Sequence, residues 1–486
     1  MVCFVSLVVL LFGFMTPAAA INDLRYSSYH NMTAEEIQRI VDETTGTEID
    51  RFDGMKIYNP DVIEVFGIIP EKAKGVEAYE YWLQMGNISR ALANDEIMQQ
   101  YHYENGGPVI GQGTQCICYT SIMILSERAD EITMEDMLII KSRVDMYAAK
   151  EGLEDPPLAF FRGEMIDSYL TEEQILYLWE SGYEGLRVYD GIENLTRLRD
   201  ERNAAMTNTQ SAGNIGFEDY GNQALSTETT FIDRLLSVFK GSSNDYVELS
   251  RTNTNYSNLS SEKVRPLVGG LMVATSTSGG TIGYAAKDAS NPDLRGIVTV
   301  AHVFHFENAT SYQPRQGYGD SNSIGTFSKM NKQSDSVFIP MESSNVRAAI
   351  YTGAGDDQLL DVIGYEGAVS SGMPMSKSGA VSGNTGGNYY GVRYNQTFTV
   401  KNGTINYTVS HVGVIQESSE ESVSVPGDSG GPVYVKTKAM VNGTEQEVAV
   451  LLGILEGGDG KGTVYYVPCT EIKDRLGVVP LTINDR

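Results

Sequence analysis

The chain has 486 residues and a formal net charge of −27 at pH 7, with 36 Lys and Arg against 63 Asp and Glu. That length points to two or more domains. So acidic a balance argues against nucleic acid as a partner and for a well-solvated surface.

In chain order, residues 1–20 read as a secretory signal. An apolar run from Val5 to Phe14 leads to Thr16-Pro17-Ala18-Ala19-Ala20, an Ala-x-Ala end. No Lys or Arg precedes Arg25, so the usual positive start is missing. The run is short for a spanning helix and no later stretch is long and apolar enough. The expectation is a secreted, extracellular protein with no stable membrane insertion after signal removal. Sequons follow at Asn31, Asn87, Asn194, Asn255, Asn258, Asn308, Asn395, Asn402, Asn406 and Asn442. They are compatible with secretion in a glycosylating organism, though a chain rich in Asn, Ser and Thr produces several by chance.

Residues 21–241 form an acidic, mostly helical region by their start and stop signals. Thr33-Ala34-Glu35-Glu36 and Thr171-Glu172-Glu173-Gln174 have the pattern of capping boxes. Thr133 to Ala149 reads as a helix closed by Gly152, and Thr230 to Lys240 as one closed by Gly241. Gly106 to Gly113 lacks the lysine and spacing of a phosphate loop and reads as a plain turn. Cys3 leaves with the signal, so Cys116, Cys118 and Cys469 remain, an odd set with at least one thiol unpaired within the chain. Cys116-Ile117-Cys118 has too few partners for zinc, and no metal or cofactor is expected. Residues 242–265, rich in Ser and Asn, read as an exposed linker.

From residue 266 onward the pattern changes to short β-like runs punctuated by glycine. This part carries 15 Lys and Arg against 21 Asp and Glu, a net −6, which leaves −21 for residues 1–265. Within it, Gly427-Asp428-Ser429-Gly430-Gly431-Pro432 places a serine in a tight glycine turn, where backbone N–H groups can converge on one point. The turn also fits the serine elbow of α/β-hydrolases, but those need a histidine after the serine. Here His30, His102, His302, His305 and His411 all precede Ser429. His302 ends the apolar run Gly296-Ile297-Val298-Thr299-Val300, the placement a rigidly held general base needs. A lone histidine there reads equally as a core residue; the serine turn downstream favours the base. His305 reads as a surface or supporting histidine and His411 as a strand residue. Asp320, Asp335, Asp356, Asp357 and Asp361 lie between His302 and the serine turn. Asp335 stands at the entry of the apolar strand Ser336-Val337-Phe338-Ile339, where a buried carboxylate could fix the imidazole tautomer.

In that order, these residues resemble the chymotrypsin-like (trypsin-type) serine proteases, and the α-lytic protease and streptogrisin branch most. Leu267-Val268-Gly269-Gly270, Ser376-Lys377-Ser378-Gly379-Ala380-Val381-Ser382-Gly383, Gly453-Ile454-Leu455-Glu456-Gly457-Gly458, Tyr466-Val467-Pro468 and the helix-like Thr470 to Leu476 are similar to successive family segments over about 266–480. The resemblance implies an all-β domain, 266–486, of two six-stranded antiparallel β-barrels, preceded by the mainly helical region. It implies a serine endopeptidase acting on protein or peptide substrates. His302 would be general base, Asp335 its orienting partner and Ser429 the nucleophile, with the N–H groups of Gly427 and Ser429 as oxyanion hole. It also implies a precursor whose own N-terminal region is an intramolecular inhibitor or folding aid; an accessory or binding module is the alternative for that region. Val423, Val425 and Pro426, with Leu455, Glu456, Gly457 and Gly458, would wall the substrate pocket and favour apolar side chains. Three departures stand out: Val303 follows the histidine where the family has cysteine, the usual disulfides are missing, and Glu456 replaces a serine. Glu456 either faces Asp335, where two carboxylates would repel and one pKa would rise, or points into the cleft to attract Lys or Arg. A catalytically silent homologue acting as a binding protein is the alternative to an enzyme.

Overall fold

In this computed structural model the described residues are 52, 55–73, 78–115, 119–167, 247–248 and 263–485, less gaps at 277, 315–321, 353–358, 368–371, 381, 401–404, 418–423, 425–426, 442 and 459–461. The signal, the elements expected from Thr33, Thr171 and Thr230, Cys116, Cys118 and most of the 242–265 linker lie outside them.

The described part of the first half packs helices on a sheet, and the sheet is what the sequence reading lacked. Strands β1 (Val62–Phe66), β2 (Val109–Gln115), β3 (Tyr119–Leu125) and β4 (Leu158–Gly163) line up in the order β1-β4-β3-β2. Helix α1 (Ala78–Ala93) brings Met85, Ile88 and Leu92 to one face, and α2 (Met134–Lys150) brings Met137, Ile140, Val144 and Ala148. That three-to-four-residue spacing is one helical stripe. Both stripes bury against Ile122, Ile124 and Phe160 of the sheet. Thr133 caps α2 in a reciprocal box with Asp136, and Gly152 follows at φ 74°. The glycine-rich stretch expected as a plain turn contributes only its start to one, because Val109–Gln115 is a strand. A Cβ on Gly113 would come within 1.9 Å of the Val392 carbonyl oxygen, so its glycine admits a neighbouring backbone.

That neighbour belongs to the second half. Strand β2 runs antiparallel to the 18-residue strand Gly383–Val400, with Gln112 opposite Tyr394 and Gln115 opposite Gly391. One sheet therefore continues from the first half into the second. Buried Arg393 reaches across to the Ser121 hydroxyl. Asn395, in a left-handed conformation at φ 50°, donates to the Ala93 carbonyl at 3.0 Å and lies 3.1 Å from His102 Nδ1. The sequon asparagine at 395 is thus occupied by the protein's own backbone.

In the second half, β5 (Tyr284–Asp288), β6 (Arg295–Val300) and β7 (Ser336–Met341) are the middle of a five-stranded antiparallel sheet. A separate four-stranded sheet contains Met272–Ala274 and Gly279–Thr281. Further on, β8 (Pro374–Gly379), β9 (Gly383–Val400), β10 (Ile405–Glu417), β11 (Pro432–Val441), β12 (Thr444–Gly458) and β13 (Thr463–Pro468) pair antiparallel in the ring β8-β9-β10-β13-β12-β11 and back to β8. The sequence expects six strands before this ring as well; the pairings there are the five- and four-stranded sheets, with Val346–Tyr351 and Leu359–Tyr365 joined instead to the edge of the large sheet. One apolar core spans both parts, with Val298, Val300 and Phe338 packed in the same cluster as Phe398, Val412, Ile454 and Val467. Helix α3 (Cys469–Leu476) is one residue longer at its start than the sequence predicts, and Val478–Pro480 after it pairs antiparallel with β5 at the edge of the five-stranded sheet.

Candidate active site

Strand pairing brings His302 and Asp335 together. Val300 is opposite Ser336 in the β6–β7 ladder, so the residues just beyond β6 and just before β7 meet at the same end. Asp335 takes φ 36°, a left-handed conformation that an aspartate tolerates better than most residues. Its Oδ1 accepts the backbone N–H of His302 at 2.8 Å and its Oδ2 lies 2.5 Å from His302 Nδ1. With a carboxylate as acceptor, Nδ1 carries the proton and Nε2 keeps its lone pair. Both residues are buried.

Ser429 stands in the turn before β11. Gly427 and Gly430 adopt φ 98° and 89°, conformations that glycine takes without strain. The turn is tied to its surroundings on three sides. Gly430 donates to the Leu455 carbonyl and Leu455 back to Gly431, both at 2.7 Å. Thr281 donates its N–H to the Ser429 carbonyl and its hydroxyl to the Gly427 carbonyl, each at 2.7 Å. Asp428 accepts from the Ser382 N–H at 2.9 Å and lies 3.6 Å from Lys377 Nζ. Gly379 makes room for that carboxylate, since a Cβ there would meet Asp428 Oδ1 at 2.0 Å. Around Gly280, Val303 and the Ser429 carbonyl approach together, at 2.6 Å and 2.8 Å from the position of an added Cβ, so the turns of His302 and Ser429 adjoin. The Ser429 hydroxyl donates to the Glu456 carbonyl at 3.4 Å.

The pocket residues expected from the sequence separate into three groups. Val423, Val425 and Pro426 lie outside the described residues. Leu455, expected to wall the pocket, turns its side chain into the core with Ile415 and Val433; Gly457 is buried and Gly458 half-buried. Glu456, also expected at the pocket, is fully buried beside His302 and Asp335, at a shift of register between Leu455 and Gly457 that leaves it without a partner residue on β13. Its Oε1 accepts from the Tyr407 hydroxyl at 2.5 Å and lies 3.6 Å from His302 Nδ1, and the Tyr407 oxygen is itself 3.1 Å from that nitrogen. Burial, then the Asp335 charge, pushes the Glu456 carboxyl well above the usual carboxylate range. Burial also pushes Asp335 up, against the hydrogen bonds it accepts from Glu456 and the His302 N–H. Burial depresses the His302 imidazole, with Glu456 opposing. Among the described residues, His302, Asp335 and Glu456 are the one group whose ligand atoms gather within 4.8 Å as a metal ion would require.

No protein-family model matches the chain, and no curated protein sequence matches it. Several solved structures align with it. Protease A of Thermobifida fusca aligns at 20% identity over 44% of this chain and 98% of that chain, with a TM-score of 0.32. A chymotrypsin of Cellulomonas bogoriensis aligns at 22% identity over 44% and 98%, with a TM-score of 0.32. A Nocardiopsis protease aligns at 20% identity over 44% and 97%, with a TM-score of 0.29.

Three site residues escape the sequence reading. Tyr407 lies four residues before His411 on the same strand, and nothing in the sequence there marks a hydroxyl aimed at the His302 imidazole. Thr281 is one of many threonines. Lys377 is in a motif that the sequence does reveal, but its partner Asp428 is not apparent without the fold.

Proposed function

We propose that the chain is a serine endopeptidase in which His302, Asp335 and Ser429 act as a triad on protein or peptide substrates. The observation that carries this reading is the imidazole of His302, held at Nδ1 by buried Asp335 beside the glycine turn of Ser429. In the proposed course, Ser429 Oγ attacks the scissile carbonyl carbon as His302 Nε2 takes its proton. The oxyanion is stabilised by the N–H groups of Gly427 and Ser429. The C–N bond then breaks, and the imidazolium proton passes to the leaving amine. Water, deprotonated by His302, hydrolyses the acyl-enzyme and restores the serine. Secretion, synthesis as a precursor, and a role of the N-terminal region as folding aid or inhibitor belong to the same proposal.

The second reading, a silent homologue that binds without cleaving, draws on the Ser429 hydroxyl pointing at the Glu456 carbonyl. A fluorophosphonate separates the two: it should add covalently to the peptide containing Ser429 in the wild type and not in Ser429→Ala. An unlabelled wild-type serine under conditions that label a known serine protease would refute the enzyme.

A further inference from the structure

Glu456 brings a second carboxyl group into the space behind His302. Tyr407, His302, Asp335 and Glu456 are 7%, 3%, 0% and 0% exposed, so the cluster is shielded from bulk solvent. The titratable groups that act on Glu456 are Asp335, His302 and Tyr407, with no lysine or arginine among them. Two carboxylates beside a neutral imidazole would place two negative charges in a medium that solvates neither, which proteins avoid by keeping a proton on one of them.

The hydrogen bonds identify which one. Asp335 receives two donors from His302, the backbone N–H at 2.8 Å and Nδ1 at 2.5 Å. Both favour its anion. Glu456 receives the Tyr407 hydroxyl on Oε1 at 2.5 Å, while its buried Oε2 has no partner. The two carboxyl groups are within hydrogen-bonding reach of each other. As a carboxylate Glu456 would leave Oε2 buried and unsatisfied; as an acid it gains a donor for Asp335.

We propose that Glu456 is a neutral carboxylic acid and a positioning residue: it donates its proton to Asp335, so that the two carboxyl groups together carry one negative charge behind His302. This rests on the endopeptidase reading for its effect on catalysis, but not for the location of the proton. The Tyr407 oxygen, 3.1 Å from His302 Nδ1, links Glu456 to the same imidazole nitrogen that meets Asp335. Asp335 is thereby fixed through Glu456 and His302 is flanked by Tyr407, while the charge facing the imidazolium formed in catalysis stays at one.

Infrared difference spectroscopy of the full chain at neutral pH reads the proton directly. The C=O stretch of a buried protonated carboxyl should be present in the wild type, lost in Glu456→Gln and retained in Asp335→Asn. A band retained in Glu456→Gln but lost in Asp335→Asn would put the proton on Asp335 and overturn the proposal, as would absence of the band. The kinetic arm uses the pH dependence of kcat/KM. Glu456→Gln, which keeps a neutral donor and acceptor, should lose less than about tenfold in kcat and leave the acid limb in place. Glu456→Ala should lose about 100-fold in kcat with KM little changed, as expected for a misplaced catalytic group. An acid limb that moves down by a full pH unit in Glu456→Gln would mean that an anion had been removed, and would refute the neutral acid. If Ser429 resists fluorophosphonate, the endopeptidase reading fails, while the infrared bands still locate the proton.

Discussion

Lys377 and Asp428 form a buried ion pair directly behind Ser429, Nζ to Oδ2 3.6 Å apart, on side chains that are 3% and 0% exposed. Asp428 also accepts the Ser382 N–H, so the turn that presents the serine is held by groups already inside the folded chain. Removing one partner of a buried pair leaves an uncompensated charge. Lys377→Met should lower stability by about 3–5 kcal/mol and abolish labelling of Ser429, and Lys377→Arg should recover part of both. Chemical denaturation alongside fluorophosphonate titration measures the two effects; a Lys377→Met variant with wild-type stability and labelling would show that the pair does not hold the turn.

Ser429→Ala should lower kcat by at least about 10⁴-fold, leaving the residual turnover that binding and an oxyanion hole supply. The change is small and at a turn, so the unfolding midpoint should stay within a few tenths of its wild-type value in denaturant. Retention of peptide cleavage in this variant would end the triad assignment.

The pH dependence follows from His302. Burial lowers its pKa from the ordinary 6.5. A general base is active when neutral, so kcat/KM should rise with pH through the folded pKa, with its midpoint below 6.5. Activity should therefore persist into mildly acidic solution. A pH–rate profile with the acid limb centred above 6.5 would contradict the burial argument.

The first half of the chain has an acid-sensitive contact with the second. Burial holds His102 down at about 4, and its Nδ1 is 3.1 Å from the Asn395 amide that also grips the Ala93 carbonyl. Unfolded histidine titrates near 6.5, so between 6.5 and 4 the unfolded chain binds the extra proton and stability falls as pH falls. Replacing His102 with Gln, which retains an acceptor for Asn395, should flatten urea midpoints across that window, by up to about 1.4 kcal/mol per pH unit. His411, also held at about 4, leaves a residual slope.

Scission in the 242–265 linker should not by itself separate the halves, because β2 and β9 are paired along Gln112–Gln115 and Gly391–Tyr394. After limited proteolysis there, residues 52–167 should co-elute with 266–486 in native size-exclusion chromatography and part only in denaturant. Separate elution under native conditions would support a pro-region that is released on cleavage.

The site was legible in the sequence to the extent that it depends on local chemistry. His302 at the end of an apolar run, Asp335 at the start of another and Ser429 between glycines each follow from what a strand end or a tight turn requires. What the sequence concealed depends on pairing between distant segments. Glu456 could be read as facing Asp335 or the cleft, and only the fold, which buries it beside His302 at a shift of register between Leu455 and Gly457, decides between them. Gly111 and Gly113 look like turn residues because the strand that needs their missing side chains lies in another part of the chain. The sheet of the first half stayed hidden for the same reason: α2 carries its own cap, whereas β2 needs β9 beside it.

The contact of Ser121 with Arg393 joins residues 272 apart in sequence. During synthesis, β2 and β3 emerge long before β9 exists, so their outer edge must wait unpaired until most of the chain has been made. Pairing at such separation is slow to form and leaves an open edge exposed meanwhile. Expression of the first half alone should accordingly yield a product prone to self-association, and supplying residues 263–486 during refolding should suppress it.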